Sequence, residues 1–181
     1  MKVIIRAMPA RADCIAYLSK ELPNAEWCID KTQNAMDTFT AALQMAGNDA
    51  CIHMEEDVVL TYGFMPKILE VINSKPDCVV QFFSMRGADL TIGSRFDSNF
   101  MMGQCFYMPP TYSKQLLDYK TVWQRIKEHP TGLDTMLADF LKERREKHWI
   151  QVPNLVDHKV GKSMIDSRRS SKRQSLTFEI G

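Results

Sequence analysis

The chain predicts an α/β fold, a single domain whose mostly parallel, mixed sheet is flanked by helices on both faces. Three observations carry this expectation. Through the first 83 residues, short apolar runs alternate with stretches whose apolar residues recur at helical spacing. The run at 3–5 is continuously apolar and the run at 79–83 is broken only by Gln81, as expected for strands buried on both faces. The length of 181 residues, with 45% hydrophobic content, suffices for one real core and is short for two.

The elements follow in order. A first strand at 3–5 ends at Met8-Pro9, and a helix over 11–22 carries Ile15, Leu18 and Leu22 on one stripe before Pro23-Asn24 stops it. A short strand at 26–29 closes on Asp30-Lys31, and a helix over 38–46 closes on Gly47-Asn48. The third strand spans 50–59. Phe64, Ile68, Leu69 and Ile72 mark one face of a helix ended by Ser74-Lys75-Pro76, and residues 78–83 form a fourth strand. The alternation is then less regular. Residues 86–99 are polar and contain glycine, 101–108 read as a strand, and 111–126 read as largely helical. Leu133, Met136, Leu137, Phe140 and Leu141 form a helical stripe, followed by a strand at 149–152. After Ile165 the pattern thins to Ser-Arg-Arg-Ser-Ser-Lys-Arg-Gln-Ser, which places the domain at 1–165 and a basic tail, mobile unless it meets a partner, at 166–181.

Net charge is uninformative, with 23 Lys plus Arg against 22 Asp plus Glu. Its distribution says more, since six basic residues and one acidic residue fall between Lys159 and Ser175. The five cysteines are odd in number, widely spaced and free of any Cys-x-x-Cys pattern. They read as reduced core thiols of a cytoplasmic protein rather than a disulfide or zinc framework. The apolar stretch before Arg6 is too short for a signal peptide, and no run approaches a transmembrane span. Oligomeric state is not legible.

The strongest chemical signal is Ala-Cys-Ile-His-Met-Glu-Glu-Asp-Val-Val-Leu at 50–60, an apolar run interrupted by three carboxylates. Burying an unpaired carboxylate costs several kcal/mol or forces it to protonate, so something cationic belongs against Glu55, Glu56 or Asp57. In an extended segment Glu55 and Asp57 share a face and Glu56 takes the other. That arrangement suits Mg²⁺ or Mn²⁺ with positions left for diphosphate oxygens; a solvated turn or a nearby Arg or Lys partner is the alternative. In a parallel sheet, ligands lie at the carboxyl ends of the strands.

With Ile52-His53-Met54-Glu55-Glu56-Asp57-Val58, Gly132-Leu133-Asp134 and Pro153-Asn154-Leu155-Val156-Asp157-His158 in view, residues 2–165 resemble the GT-A class of nucleotide-sugar glycosyltransferases. The nearest types are the small bacterial and phage enzymes related to lipopolysaccharide-modifying transferases. The usual Asp-x-Asp of that class stands here as Glu55-Glu56-Asp57, with a longer first carboxylate. The resemblance implies a GT-A-like, Rossmann-like domain that binds Mn²⁺ or Mg²⁺ and a nucleotide-sugar donor, a UDP-sugar first. It implies that Asp57 and His158 ligate the cation and that Glu55 binds it through water or holds the ribose. Asp30 would meet the base or ribose, or else act as a turn or capping residue. Asp134 would be the base that activates the acceptor hydroxyl, or the acid of a Thr131-x-x-Asp134 capping box. Arg86 and Lys162 would contact the diphosphate, or simply be solvated charges.

Two function classes follow. The first is a metal-dependent glycosyltransferase acting on a saccharide or on a hydroxylated base in phage DNA; the second is a Mg²⁺-dependent nucleic-acid-processing or nucleic-acid-binding protein. The basic tail suggests a polyanionic acceptor, and a flipped base would need exposed aromatic groups, for which Phe96, Phe100 and Tyr107 are candidates.

Overall fold

The computed structural model describes residues 1–123, 132–161 and 173–181. Its main sheet has seven strands in the order β2-β1-β3-β7-β5-β8-β6. These are β1 (Lys2–Ala7), β2 (Glu26–Ile29), β3 (Cys51–Glu55), β5 (Val80–Gln81), β6 (Arg95–Asp97), β7 (Cys105–Met108) and β8 (His148–Ile150). Strand β1 pairs in parallel with both β2 and β3, and β5 pairs in parallel with β8. Strand β7 runs antiparallel between β3 and β5, and β6 runs antiparallel to β8. The sheet is therefore mixed and mostly parallel. A separate ribbon pairs β4 (Val58–Leu60) with β9 (Val156–His158) in antiparallel register, Val58 opposite His158.

The alternation of side chains through β1, β3 and β7 divides the core between the two faces. Ile5, Ile52, Met54, Cys105 and Tyr107 point to the face covered by α1 (Ala12–Glu21) and α3 (Phe64–Ser74), where they meet Leu18, Phe64, Ile68 and Ile72. Phe106 and Met108 point to the other face and meet Phe39 and Leu43 of α2 (Ala35–Ala46), Leu116 of α5 (Tyr112–Lys120) and Met136, Leu137 and Phe140 of α6 (Leu133–Glu143). A short α4 (Asp89–Ile92) precedes β6. Burial on both faces explains why these strands read as largely apolar runs.

Several boundaries differ from expectation for local reasons. Helix α2 starts at Ala35 because the Asn34 side chain accepts from the N–H groups of Met36 and Asp37, a cap that apolar spacing does not reveal. The segment 86–99 contains α4 and β6, whose short apolar content gives no periodicity. The expected strand over 50–59 is two strands in different sheets, separated by a turn at Glu56-Asp57. The chain end is also anchored. Tyr62 N–H donates to Ile180 O at 2.6 Å, Thr61 Oγ1 to Glu179 O at 2.9 Å, and Ser175 N–H to Asp157 Oδ1 at 2.6 Å. Residues 173–181 are thus held along the β4–β9 ribbon; the rest of the basic segment from Lys162 to Lys172 lies outside the described residues. Among the described residues, no helix is long and apolar enough to cross a membrane.

Candidate functional site

From β1 the chain passes through α1 to β2 on one side, then through α2 to β3 on the other side of β1. The carboxyl ends of β1 and β3 therefore flank a topological switch point, where the strand order leaves a crevice. Residues Arg6 to Arg11 and Glu55 to Asp57 emerge there, and they form two clusters.

In the first cluster Arg6, 5% exposed, lies 3.6 Å from Glu55 Oε1 and donates through Nη2 to Gly103 O at 2.6 Å. Its guanidinium stacks over the rings of Phe39 and Phe106, so packing as well as charge holds it. Burial, followed by the charges of Asp57, Asp134 and Glu56, pushes the Glu55 carboxyl up to about 7 against the opposing pull of Arg6.

In the second cluster Arg11 Nη1 donates to Asp57 Oδ2 at 2.6 Å and its Nε lies 3.4 Å from Glu56 Oε1. His158, contributed by β9, brings Nε2 to 3.2 Å from the same Asp57 Oδ2. The β4–β9 pairing makes this approach possible across about a hundred residues of sequence, because Val58 and His158 are register partners. The Lys159 N–H donates to Asp57 O at 2.7 Å and closes the turn. Burial would raise the Asp57 carboxyl, but His158, then Arg11 and Arg173, hold it below its ordinary value. The neighbouring Glu56 is raised, by burial and then by Asp57.

Two details of this cluster bear on whether a cation could be held here. Asp57 is 5% exposed, and its Oδ1 is buried without a hydrogen-bond partner among the described residues. The His158 Nδ1 lies 2.7 Å from Lys159 O, which can only accept, so Nδ1 carries the hydrogen. With Nδ1 so committed, Nε2 meets the carboxylate oxygen as an N–H when the ring is protonated and as a lone pair when it is not. Two acceptors at that separation need a proton or a metal ion between them, and an imidazole tied by its other N–H to a backbone carbonyl is the usual setting of a metal ligand. Among the described residues no group of three or more His, Cys, Asp or Glu side chains could hold a metal ion. Asp57 and His158 offer two ligands, a number that suits Mg²⁺ or Mn²⁺ completed by water and phosphate oxygens; the imidazole favours Mn²⁺.

The remaining candidates are placed as follows. The turn at Glu56-Asp57 ends the strand alternation, so Glu56 and Asp57 share Arg11 while Glu55 meets Arg6, in place of the expected pairing of Glu55 with Asp57 on one face. Asp30 Oδ1 accepts from Thr32 N and Gln33 N, each at 2.8 Å, which makes it a turn-forming residue at the end of β2. Arg86 pairs with Asp97 at 3.1 Å and donates to Asn99 O at 3.0 Å, so its charge ties the 84–99 segment together. Asp134 accepts from Gly103 N at 2.8 Å and Met102 N at 3.1 Å and so fastens α6 to the turn before β7. A Cβ at Gly103 would crowd the side chains of Leu133 and Asp134, which would have to shift. Thr131 and Lys162 lie outside the described residues. Of the three aromatic candidates only Phe96 is exposed; Phe100 and Tyr107 are core residues.

Arg6 and Arg11 were not anticipated. The requirement for a counter-charge was legible, but Arg6 reads as the end of an apolar strand and Arg11 as the start of a helix. Parallel pairing of β1 with β3 places Arg6 opposite Glu55 in register, a relation no local pattern reveals. Compared with protein-family models and with curated proteins, the chain matches none.

Proposed function

We propose that the protein is a metal-dependent glycosyltransferase of GT-A-like architecture that moves a sugar from a nucleoside diphosphate donor to a hydroxyl acceptor. The observation that carries this reading is the meeting of Asp57 and His158 beside the switch point, with Asp57 Oδ1 unpartnered and His158 Nδ1 committed to a carbonyl. Asp57 and His158 would hold Mn²⁺ or Mg²⁺, which would bridge the diphosphate and offset the charge that builds on the leaving group. Glu55, at the end of β3 and paired with Arg6, would serve the ribose or a metal-bound water. Asp134 holds the Met102-Gly103 turn against Glu55, so its first role is to position the floor of the site.

Calorimetry with uridine diphosphate tests the reading. Binding should require Mn²⁺ and should be lost in Asp57→Ala while the fold is kept, because trimming one carboxylate from a charge cluster rarely unfolds a domain. Nucleotide binding indifferent to both Mn²⁺ and Asp57 would overturn it.

A further inference from the structure

We infer that Arg6 and Glu55 together read one hydroxyl of the sugar that is transferred: the hydroxyl accepts from Arg6 Nη1 and donates to the Glu55 carboxylate. The inference rests on the transferase reading above and names the group that meets the floor of its site.

The pair is in register yet not closed. Parallel pairing of β1 with β3 sets Arg6 opposite Glu55, but Arg6 Nη2 stops 3.6 Å from Glu55 Oε1, beyond hydrogen-bonding distance, and donates to Gly103 O at 2.6 Å instead. The guanidinium is kept from turning to close the gap, because it is stacked over the rings of Phe39 and Phe106. Its Nη1 is buried with no hydrogen-bond partner among the described residues. On a side chain only 5% exposed and fixed by packing, that N–H is a donor already in place, and leaving it unmatched is costly. The turn that holds Gly103 brings a second buried atom without a partner, Gln104 Oε1, and Glu55 N–H donates to the backbone oxygen of the same residue at 2.8 Å.

Charge decides what kind of group belongs there. A phosphate or carboxylate would answer Arg6 Nη1 but meet Glu55 beside it, and a cation bound directly would answer Glu55 but meet Arg6. The group is therefore neutral, and it must accept and donate. A hydroxyl does both at one atom. It enters past Glu55, whose side chain is 28% exposed.

Position and depth point to the donor's transferred sugar. Glu55 stands two residues before Asp57, at most about 7 Å along the chain, so a group held by the pair belongs to the molecule whose diphosphate the cation would hold. A sugar in transfer has to be enclosed, or water takes the acceptor's place. The deep donor of Arg6 suits it better than it suits a ribose.

The test is calorimetry on the full chain at saturating Mn²⁺, in wild type, Glu55→Gln and Arg6→Lys. The ligands are uridine diphosphate, 2′-deoxyuridine diphosphate and the uridine diphosphate conjugates of glucose, galactose, N-acetylglucosamine and xylose. Each variant should lose roughly tenfold more affinity for the tightest conjugate than for uridine diphosphate, the size of one hydrogen bond to a charged group. Among monodeoxy analogues of that conjugate, wild type should reject one by about tenfold, and Glu55→Gln should no longer reject it. Thermal melts report whether each variant is folded, and Glu55→Gln, nearly isosteric, carries the test alone if Arg6→Lys is not. Equal losses for the conjugate and uridine diphosphate, or rejection of the deoxy analogue that survives both substitutions, overturn the inference and leave the pair holding water. Rejection of 2′-deoxyuridine diphosphate that the variants abolish puts the pair at the ribose and overturns it as well. Wild type that binds uridine diphosphate but none of the conjugates overturns the pair and leaves the metal-dependent reading standing; wild type that binds none of these compounds overturns both.

Discussion

Arg6 and Arg11 neutralise two halves of one acidic triplet, yet they are built for different purposes. Arg6 is committed to the core: it is stacked on two phenylalanines, bonded to Gly103 O and in register with Glu55 across a parallel ladder. Arg11 pairs with Asp57 and Glu56 at a helix start on the rim. An arginine stacked on two rings and fixed by strand register makes a rigid floor to the cluster. The difference teaches that one acidic triplet can meet two unlike counter-charges, one set in the core by ring packing and register and the other at a helix start beside the Asp57–His158 pair.

The largest expected effect breaks the floor. Arg6→Ala leaves a gap between Phe39 and Phe106, an unsatisfied Gly103 carbonyl and an uncompensated Glu55, and should cost about 3–5 kcal/mol in urea unfolding. Added Mn²⁺ should not restore it.

The two buried histidines at strand ends show the same contrast. His148, fully buried at the start of β8 against Phe100, is pushed down to about 4, chiefly by burial, while His158 faces a carboxylate. Between the folded and unfolded values of His148 the unfolded chain binds more protons, so stability is complete above pH 6.5 and falls as pH drops toward 4. That loss should reach about 3 kcal/mol from His148 alone. His53, pushed down to about 3 by burial and then by Arg6, adds to the loss in the same direction. Urea melts from pH 7 to pH 4 should show the decline, and His148→Leu should flatten it.

A smaller effect is expected at the rim. Arg11→Ala should cost about 1–2 kcal/mol, because His158, Lys159 and Arg173 still surround Asp57 and no core cavity opens. Here Mn²⁺ should restore stability in a concentration-dependent way, as binding to the native state alone requires. Rescue of Arg11→Ala but not of Arg6→Ala would sharpen the comparison; equal rescue of both, or of neither, would dissolve it.

The smallest effect concerns Asp134. Asp134→Asn replaces one acceptor by a donor facing a backbone N–H and should cost about 1 kcal/mol. A sugar-transfer assay then separates the two roles. A loss of turnover of about a hundredfold would mark a general base, and near-normal turnover would leave the positioning role alone.

The layered α/β fold was legible because its strands are buried on both faces and its helices carry clear apolar stripes, as at Ile68-Ile72 and Leu133-Leu141. The need of the acidic triplet for a counter-charge was legible from the cost of burial. What was not legible depends on long-range register and on turns. Glu56-Asp57 looks like strand, because apolar residues flank it, but it turns the chain out of the main sheet into the β4–β9 ribbon. Arg6 and Arg11 are ordinary charges until the sheet aligns them with the triplet. The end of the chain looked unattached because its anchors, Thr61, Tyr62 and Asp157, bind it largely through backbone groups, which leave no side-chain pattern.

The central claim is that Asp57 and His158 ligate one divalent cation. Pulsed electron paramagnetic resonance of Mn²⁺ bound in the presence of uridine diphosphate tests it most directly, since nitrogen-14 modulation reports an imidazole in the coordination shell. The account predicts a directly coordinated nitrogen in wild type that disappears in His158→Gln and an Mn²⁺ signal lost altogether in Asp57→Ala. Bound Mn²⁺ without nitrogen coupling, or with coupling that survives His158→Gln, would contradict it.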